Sequence, residues 1–400
     1  MSSSKAITLD AACEFIVDCL HHTAPVQKDG YPSIRTPNIG KGRLLLDGVN
    51  RVSEDTYLAW TQRAIPEPGD LILAREAPAG NVAIVKEGEK VCLGQRTVHL
   101  RPNRKIVDPD FLCYFLLAPL QQGKLLAGET GATAKHVNMA DIRKVELSDL
   151  PSIERQRKAG ATLAAYDDLI ENNRRRMAML EESARLLYRE WFVRLRFPGY
   201  EHTRIVDGVP KGWKSKKLGD VAHVNKTNLS STFDGDIEYI DIASVTPGSI
   251  NETTPYSFRD APSRARRVVR HGDIIWSCVR PNRRSHSVVW RPPENLVAST
   301  GFAVISSIAL PPSFLYQALT TDLFVGYLEN RAKGAAYPAV VAGDFERAEV
   351  LIPPPALFTV FDEFAEPLLS QMHNLHSQNQ KLRAARDLLL PRLMSGELVV

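Results

Sequence analysis

Arginine dominates the side chains of this sequence that could recognise another molecule. Between positions 259 and 291 stand nine arginines (259, 264, 266, 267, 270, 280, 283, 284 and 291) against two aspartates, 260 and 273. A planar guanidinium can donate two parallel hydrogen bonds to guanine or clamp a phosphate, so a local excess of this kind fits a duplex nucleic acid better than the modest net charge of +4 suggests. The candidate DNA contacts are Arg264, Arg266, Arg267, Arg280, Asn282, Arg283, Arg284 and Lys333 in the second half, with Arg75, Gln95, Arg96, Thr133 and Lys135 in the first. Any single one of them could instead touch phosphate or pair with a surface carboxylate. Two small-residue loops, Gly131-Ala132-Thr133-Ala134-Lys135-His136 and Lys333-Gly334-Ala335-Ala336-Tyr337, either let a backbone approach a ligand closely or serve as tight turns.

Other chemistry lacks residues to stand on. The five cysteines (13, 19, 92, 113 and 278) are scattered and form no CxxC pair, so neither a disulfide framework nor a zinc site is expected, and a reducing cytoplasm fits. His136 has no second ligand at metal spacing. No GxxxxGK[ST] run is present for ATP, no Asn/Asp-Pro-Pro-aromatic tetrapeptide for amino-methyl transfer, and no Glu-x-Lys follows Pro109-Asp110 as a nuclease would require. The apolar run from Phe111 to Leu120 is half a membrane span, so no membrane association is expected.

These residues are positioned by a duplicated chain. At an offset of 203, thirteen positions from Pro109 to Pro151 meet identical residues from Pro312 to Pro354, and Gly69-Asp70-Leu71-Ile72 meets Gly272-Asp273-Ile274-Ile275. Each copy predicts short strands (71–73, 82–85 and 97–100; 274–276, 287–290 and 302–305), a short helix (111–126; 314–331), a glycine loop and, after a proline stop, a long helix. The stretch 11–20 reads as apolar and helical, which leaves the start of the first copy undefined.

The long helices carry heptad stripes: Leu163, Tyr166, Ile170, Asn173, Met177, Leu180, Ala184, Leu187 and Trp191, then Leu368, Met372, Leu375, Asn379, Leu382, Leu389 and Leu393, with Arg386 interrupting the second. Matched stripes in one chain predict intrachain pairing, with covering of each domain or homodimerisation as alternatives. A pseudo-two-fold repeat makes the pair antiparallel, a rod of roughly 45 Å at ~1.5 Å per residue. Pro391 is expected at the last turn. The expected fold class is α+β, with two tandem mixed α/β domains at 1–150 and 214–355, each followed by a long helix at 151–196 and 356–400, and a linker at 197–213.

Taken together, Gly69-Asp70-Leu-Ile-Leu with Arg75-Glu-Ala-Pro-Ala-Gly80, Cys92-Leu-Gly-Gln-Arg-Thr97, Trp213 with Leu218-Gly-Asp220, Gly272-Asp-Ile-Ile275, Ile352-Pro-Pro-Pro355 and the two heptad helices resemble the specificity subunit of type I restriction-modification enzymes over nearly the whole chain. The resemblance implies a non-catalytic subunit whose two domains read the halves of a split, asymmetric double-stranded DNA target. It implies two methyltransferase subunits using S-adenosylmethionine and ATP-dependent, Mg2+-requiring motor-nuclease subunits as partners, with no cofactor on this chain. A methylation-only complex, or a scaffold whose helices organise protein partners, is the alternative reading.

Overall fold

The computed structural model describes residues 6–20, 22–127 and 136–400. The chain divides into two compact units, one formed by Met1–Asn172 with Gln378–Val400 and the other by Asn173–Ser377. Each unit therefore holds one mixed α+β head and a stretch of both long helices.

In the first unit a five-stranded sheet has the order Cys13–Asp18, Thr97–Pro102, Leu71–Ala74, Val82–Ile84, Gly42–Arg43. Its middle strand is buried throughout, because successive side chains point to opposite faces and both faces are covered. Leu71 and Leu73 enter the core beneath the helices, whereas Ile72 and Ala74 enter a second core with Ile34, Val85 and Val91. The second unit repeats the device. Its sheet runs Ala222–Val224, Phe302–Ser307, Ile274–Ser277, His286–Val288, with Ile274 and Trp276 on one face and Ile275 on the other. A further four-stranded sheet, Thr254–Ser257, Asp236–Ile240, Leu296–Ser299, Ala265–Val268, belongs to this unit.

The duplication extends to individual hydrogen bonds. Asp70 Oδ2 accepts from Glu67 N at 2.8 Å, and Asp273 Oδ2 accepts from Arg270 N at 2.7 Å. Both aspartates follow a glycine at positive φ, 95° at Gly69 and 83° at Gly272, the left-handed backbone that glycine adopts without a Cβ penalty. Leu9 N donates to Val145 O at 2.8 Å, as Leu218 N donates to Ala348 O at 2.7 Å. This last pair settles where the first copy begins: Leu9–Ala12 matches Leu218–Val221.

Two expectations from the sequence require correction. Residues 13–20 are not helical; the helix ends at Ala12, and the β-rich run Cys13–Asp18 pairs antiparallel with Thr97–Pro102. Each expected short helix is two helices. Pro109–Leu117 and Pro119–Leu126 are separated at Ala118 (ψ 144°), because a residue before proline is driven out of the helical region. Pro312–Ala318 and Asp322–Arg331 are separated by a fresh N-cap, Thr321, whose Oγ1 accepts from Phe324 N at 3.2 Å.

The long helices span Ile153–Tyr188 and Pro355–Met394, so Pro391 sits in a last turn. A single π turn, Arg189–Val193, extends the first. The two helices touch within each unit. In the first, Asn379 Nδ2 donates to Ile170 O at 3.1 Å, and Leu163, Leu389 and Leu393 share one core. In the second, Phe361 packs against Tyr188 and Trp191, with ring centroids 5.9 and 6.1 Å apart. Leu375 is buried, whereas Tyr166, Met177, Leu180, Leu187, Leu368, Met372 and Leu382 are half-buried; beside Leu368 it is Leu369 that is buried. Phe197 and Trp213, at the ends of the expected linker, are both buried in the second unit's core. Among the described residues no helix is long and apolar enough to cross a membrane.

Candidate nucleic-acid interface

The strand Ile274–Ser277 runs into a loop that meets the second glycine loop. Val340 N donates to Cys278 O at 2.9 Å and Arg280 N to Pro338 O at 2.7 Å, while Lys333 and Ala339 exchange two backbone bonds of 2.9 Å each. Two segments more than fifty residues apart thus form one surface. Arg280 itself has φ 51° and ψ 64°, and a 3-10 turn, Pro281–Arg283, leads from it to Arg284 at φ 53°. The Arg280 guanidinium lies over the Tyr337 ring, 4.6 Å from its centroid, and Nη2 donates to Ala336 O at 3.1 Å. Asn282, Arg283 and Lys333 are exposed around it. Arg284 donates to Asp322 Oδ1 at 2.5 Å, a pair whose carboxylate is mostly in solvent.

The first unit builds the same junction with other side chains. Val137 N donates to Arg75 O at 3.0 Å, and the Glu76 to His136 bridge matches the Val279 to Ala339 bridge. Arg75 occupies the position of Cys278 and turns inward, Nε donating to Val137 O at 2.8 Å, so part of its hydrogen-bonding capacity holds the loop together. Arg96 is partly exposed with its Nε 3.6 Å from Glu76 Oε1, and Gln95 Nε2 reaches Thr23 Oγ1 at 3.4 Å. Thr133 and Lys135 lie outside the described residues.

The model of the type I restriction modification DNA specificity domain matches residues 25–182. The chain is 25% identical over 364 residues to the MjaIX specificity subunit of Methanocaldococcus jannaschii, covering 88% of this chain and 83% of that one. It is 21% identical to the HindI specificity subunit of Haemophilus influenzae, with 82% and 86% covered. The crystal structure of the type I S subunit from M. genitalium shares the fold, with a TM-score of 0.60 at 17% identity over 97% of this chain and 95% of that one. Over most of its length, then, this chain is similar to type I restriction-modification specificity subunits.

The remaining arginines of the cluster fall elsewhere in the second head. Arg264, Arg266 and Arg267 stand at the strand Ala265–Val268. Arg264 is exposed; Arg266 lies 4.4 Å over the Phe258 ring, beside a cavity of about 520 Å³ that Phe233, Asp234 and Arg259 also line. Arg267 donates from Nη1 to Asn228 Oδ1 at 2.8 Å, and burial lowers its pKa. Arg291 reaches Ser370 Oγ on the second long helix at 3.4 Å, and Arg270 belongs to the Asp273 turn. The nine arginines are therefore several groups with different duties. Sequence reasoning passed over Tyr337 and Asn228; an aromatic ring among the small residues of a glycine loop was the available signal for the first.

Each head also holds a buried polar cluster. In the first, burial pushes the Asp70 carboxyl up, but hydrogen bonds from His99 and Arg101 outweigh it and hold the group down at about 2. The contacts are 2.6 Å to His99 Nε2 and 2.9 and 2.8 Å to Arg101. In the second head, burial and the nearby Arg284 lower His286 to about 4, so its imidazole is neutral near pH 7; it packs on Trp276 with Nδ1 3.4 Å from the Tyr316 hydroxyl. Among the described residues, no three of His, Cys, Asp and Glu come together as metal ligands.

Proposed function

We propose that this chain is a type I specificity subunit that reads a split, asymmetric double-stranded DNA target, each head reading one half-site while the paired helices fix the gap. Two methyltransferase subunits, using S-adenosylmethionine to methylate adenine, and motor-nuclease subunits, using ATP and Mg2+, dock on the assembled subunit in the cytoplasm. This chain contributes recognition and no catalytic step. The observation that carries the reading is the pair of equivalent loop junctions: one framework, built twice with matching backbone bonds, bears Arg280, Asn282, Arg283, Arg284 and Lys333 in one copy and a different set in the other. A duplicated framework with divergent tips suits two different half-sites. Each head alone offers few contacts, whereas two linked heads add their free energies toward the ~4–10 kcal/mol that separates specific from non-specific DNA binding.

The test is base-resolution mapping of adenine methylation in cells holding this chain with its methyltransferase partner, against cells with the methyltransferase alone. Methylation at two short half-sites with a fixed gap, present only with this chain, is the expected result. Identical maps from a demonstrably active methyltransferase would overturn the reading and favour a protein scaffold built on the two helices.

A further inference from the structure

The two heads offer an internal control that a single recognition domain lacks. Ala77 in the first unit and Arg280 in the second occupy the same place: each follows a residue bridged to the glycine-loop segment, each has positive φ (39° and 51°), and each precedes a proline, Pro78 and Pro281. The bridge and the left-handed backbone at this position are thus shared, whether the side chain is a methyl group or a guanidinium. The partner of Arg280 shows the same exchange. Tyr337 aligns in sequence with Ala134 at the offset of 203 that equates the two copies. Both halves of the Arg280 and Tyr337 stack are alanine in the first copy, so the fold does not need them.

What the stack does is hold a cation in place. Tyr337 is 68% exposed and covers one face of the guanidinium, and Nη2 donates to Ala336 O. Nε, Nη1 and the second Nη2 hydrogen have no acceptor among the described residues. A guanidinium fixed in this way keeps an edge of parallel N–H donors free, and less side-chain freedom is lost when that edge meets two acceptors on one base. The acceptor pair that such an edge fits in duplex DNA is O6 and N7 of guanine in the major groove.

We infer that Arg280 and Tyr337 act as one unit that reads a guanine in the half-site of the second head, Arg280 contacting the base and Tyr337 positioning it, and that the first head has no equivalent contact. This rests on the recognition reading above. It extends that reading to one base pair of one half-site.

The experiment gives the second loop the residues of the first, as an Arg280→Ala/Tyr337→Ala double variant, and maps methylation beside the parent chain with the same methyltransferase. The expected result is a loss of about tenfold in preference for G·C at one position of one half-site, with the other half-site unchanged and the unfolding midpoint close to that of the parent. Arg280→Lys, which keeps the charge but lacks the planar fork, relaxes the same position, and Tyr337→Ala alone relaxes it less. An unchanged motif, or a decline equal at every site regardless of sequence, overturns the inference, the second by making Arg280 a phosphate contact. A variant that no longer folds overturns its premise that the framework is indifferent to these side chains. If the parent itself directs no split motif, it is the recognition reading that fails.

Discussion

At the level of single residues, the two heads solve one problem with different electrostatics. Asp70 and Asp273 close equivalent turns, but Asp70 is met by His99 and Arg101, whereas Asp273 has Ser306 in place of Arg101 and burial raises its pKa. Removing one partner of a buried ion pair leaves the other uncompensated, at a cost of about 3–5 kcal/mol. Asp70→Ala is therefore expected to destabilise its head by that amount, and Asp273→Ala by about 1–2 kcal/mol, the range of a lost hydrogen bond. Urea unfolding of the two variants checks this; equal losses would contradict it. The pH windows also differ. His286 is depressed in the folded state, so between its unfolded value of 6.5 and about 4 the unfolded chain binds the extra proton. Stability of the second head consequently falls with falling pH across that window, by up to about 3 kcal/mol. The Asp70 contribution is complete above 3.8 and is lost only as the pH falls toward about 2. Unfolding followed from pH 7 to 4 should show the first slope, and His286→Leu should flatten it.

At the level of elements, the heptad stripes announced the long helices and their contact faces, because a 3.5-residue period survives in sequence whatever surrounds it. Local signals competed elsewhere. The apolar run at 11–20 carries no helix-breaking residue, and only pairing with Thr97–Pro102 makes it a strand. The break at Ala118 was legible in Pro119 and was passed over in favour of the apolar pattern. Arg386, which interrupts the second stripe, proves to be part of the seam. It pairs with Asp167, buried at 4% exposure, whose Oδ2 accepts from the Tyr114 hydroxyl at 2.6 Å. This chain of contacts ties both helices to the head of the first unit. Arg386→Met alone strands a buried carboxylate and should cost about 3–5 kcal/mol, while Tyr114→Phe/Asp167→Leu/Arg386→Met together should return to within about 1–2 kcal/mol of the parent. A triple variant no more stable than the single one would mean that the network contributes more than it costs to bury. The pair proposed to read a base was the least legible part of the site, since Arg280 and Tyr337 are separated by three strands and two helices in sequence, and only the backbone bonds between their loops bring them together.

For the molecule as a whole, a net charge of +4 on 400 residues is too small to hold DNA by general attraction, so local groups of cations must supply the electrostatic part of binding. Those groups divide by environment. Arg266, Arg280 and Arg284 are engaged by a ring or a carboxylate, whereas Arg264, Arg283 and Lys333 are exposed. An exposed cation on a flexible stem suits a phosphate, whose neutralisation releases counterions and steepens the dependence of affinity on salt by ~0.9 per contact. Replacing Arg264, Arg283 and Lys333 with glutamine should lower the slope of log K against log salt by up to ~2.7 and weaken binding to every duplex alike, leaving the preferred half-sites unchanged. The measurement is a salt titration on a target duplex and on one with both half-sites scrambled. A lower slope with intact preference would separate these positioning contacts from the Arg280 and Tyr337 pair, whose loss should change preference and leave the slope within about one unit. An unchanged slope accompanied by relaxed preference would reverse the two assignments and place base reading on the exposed cations.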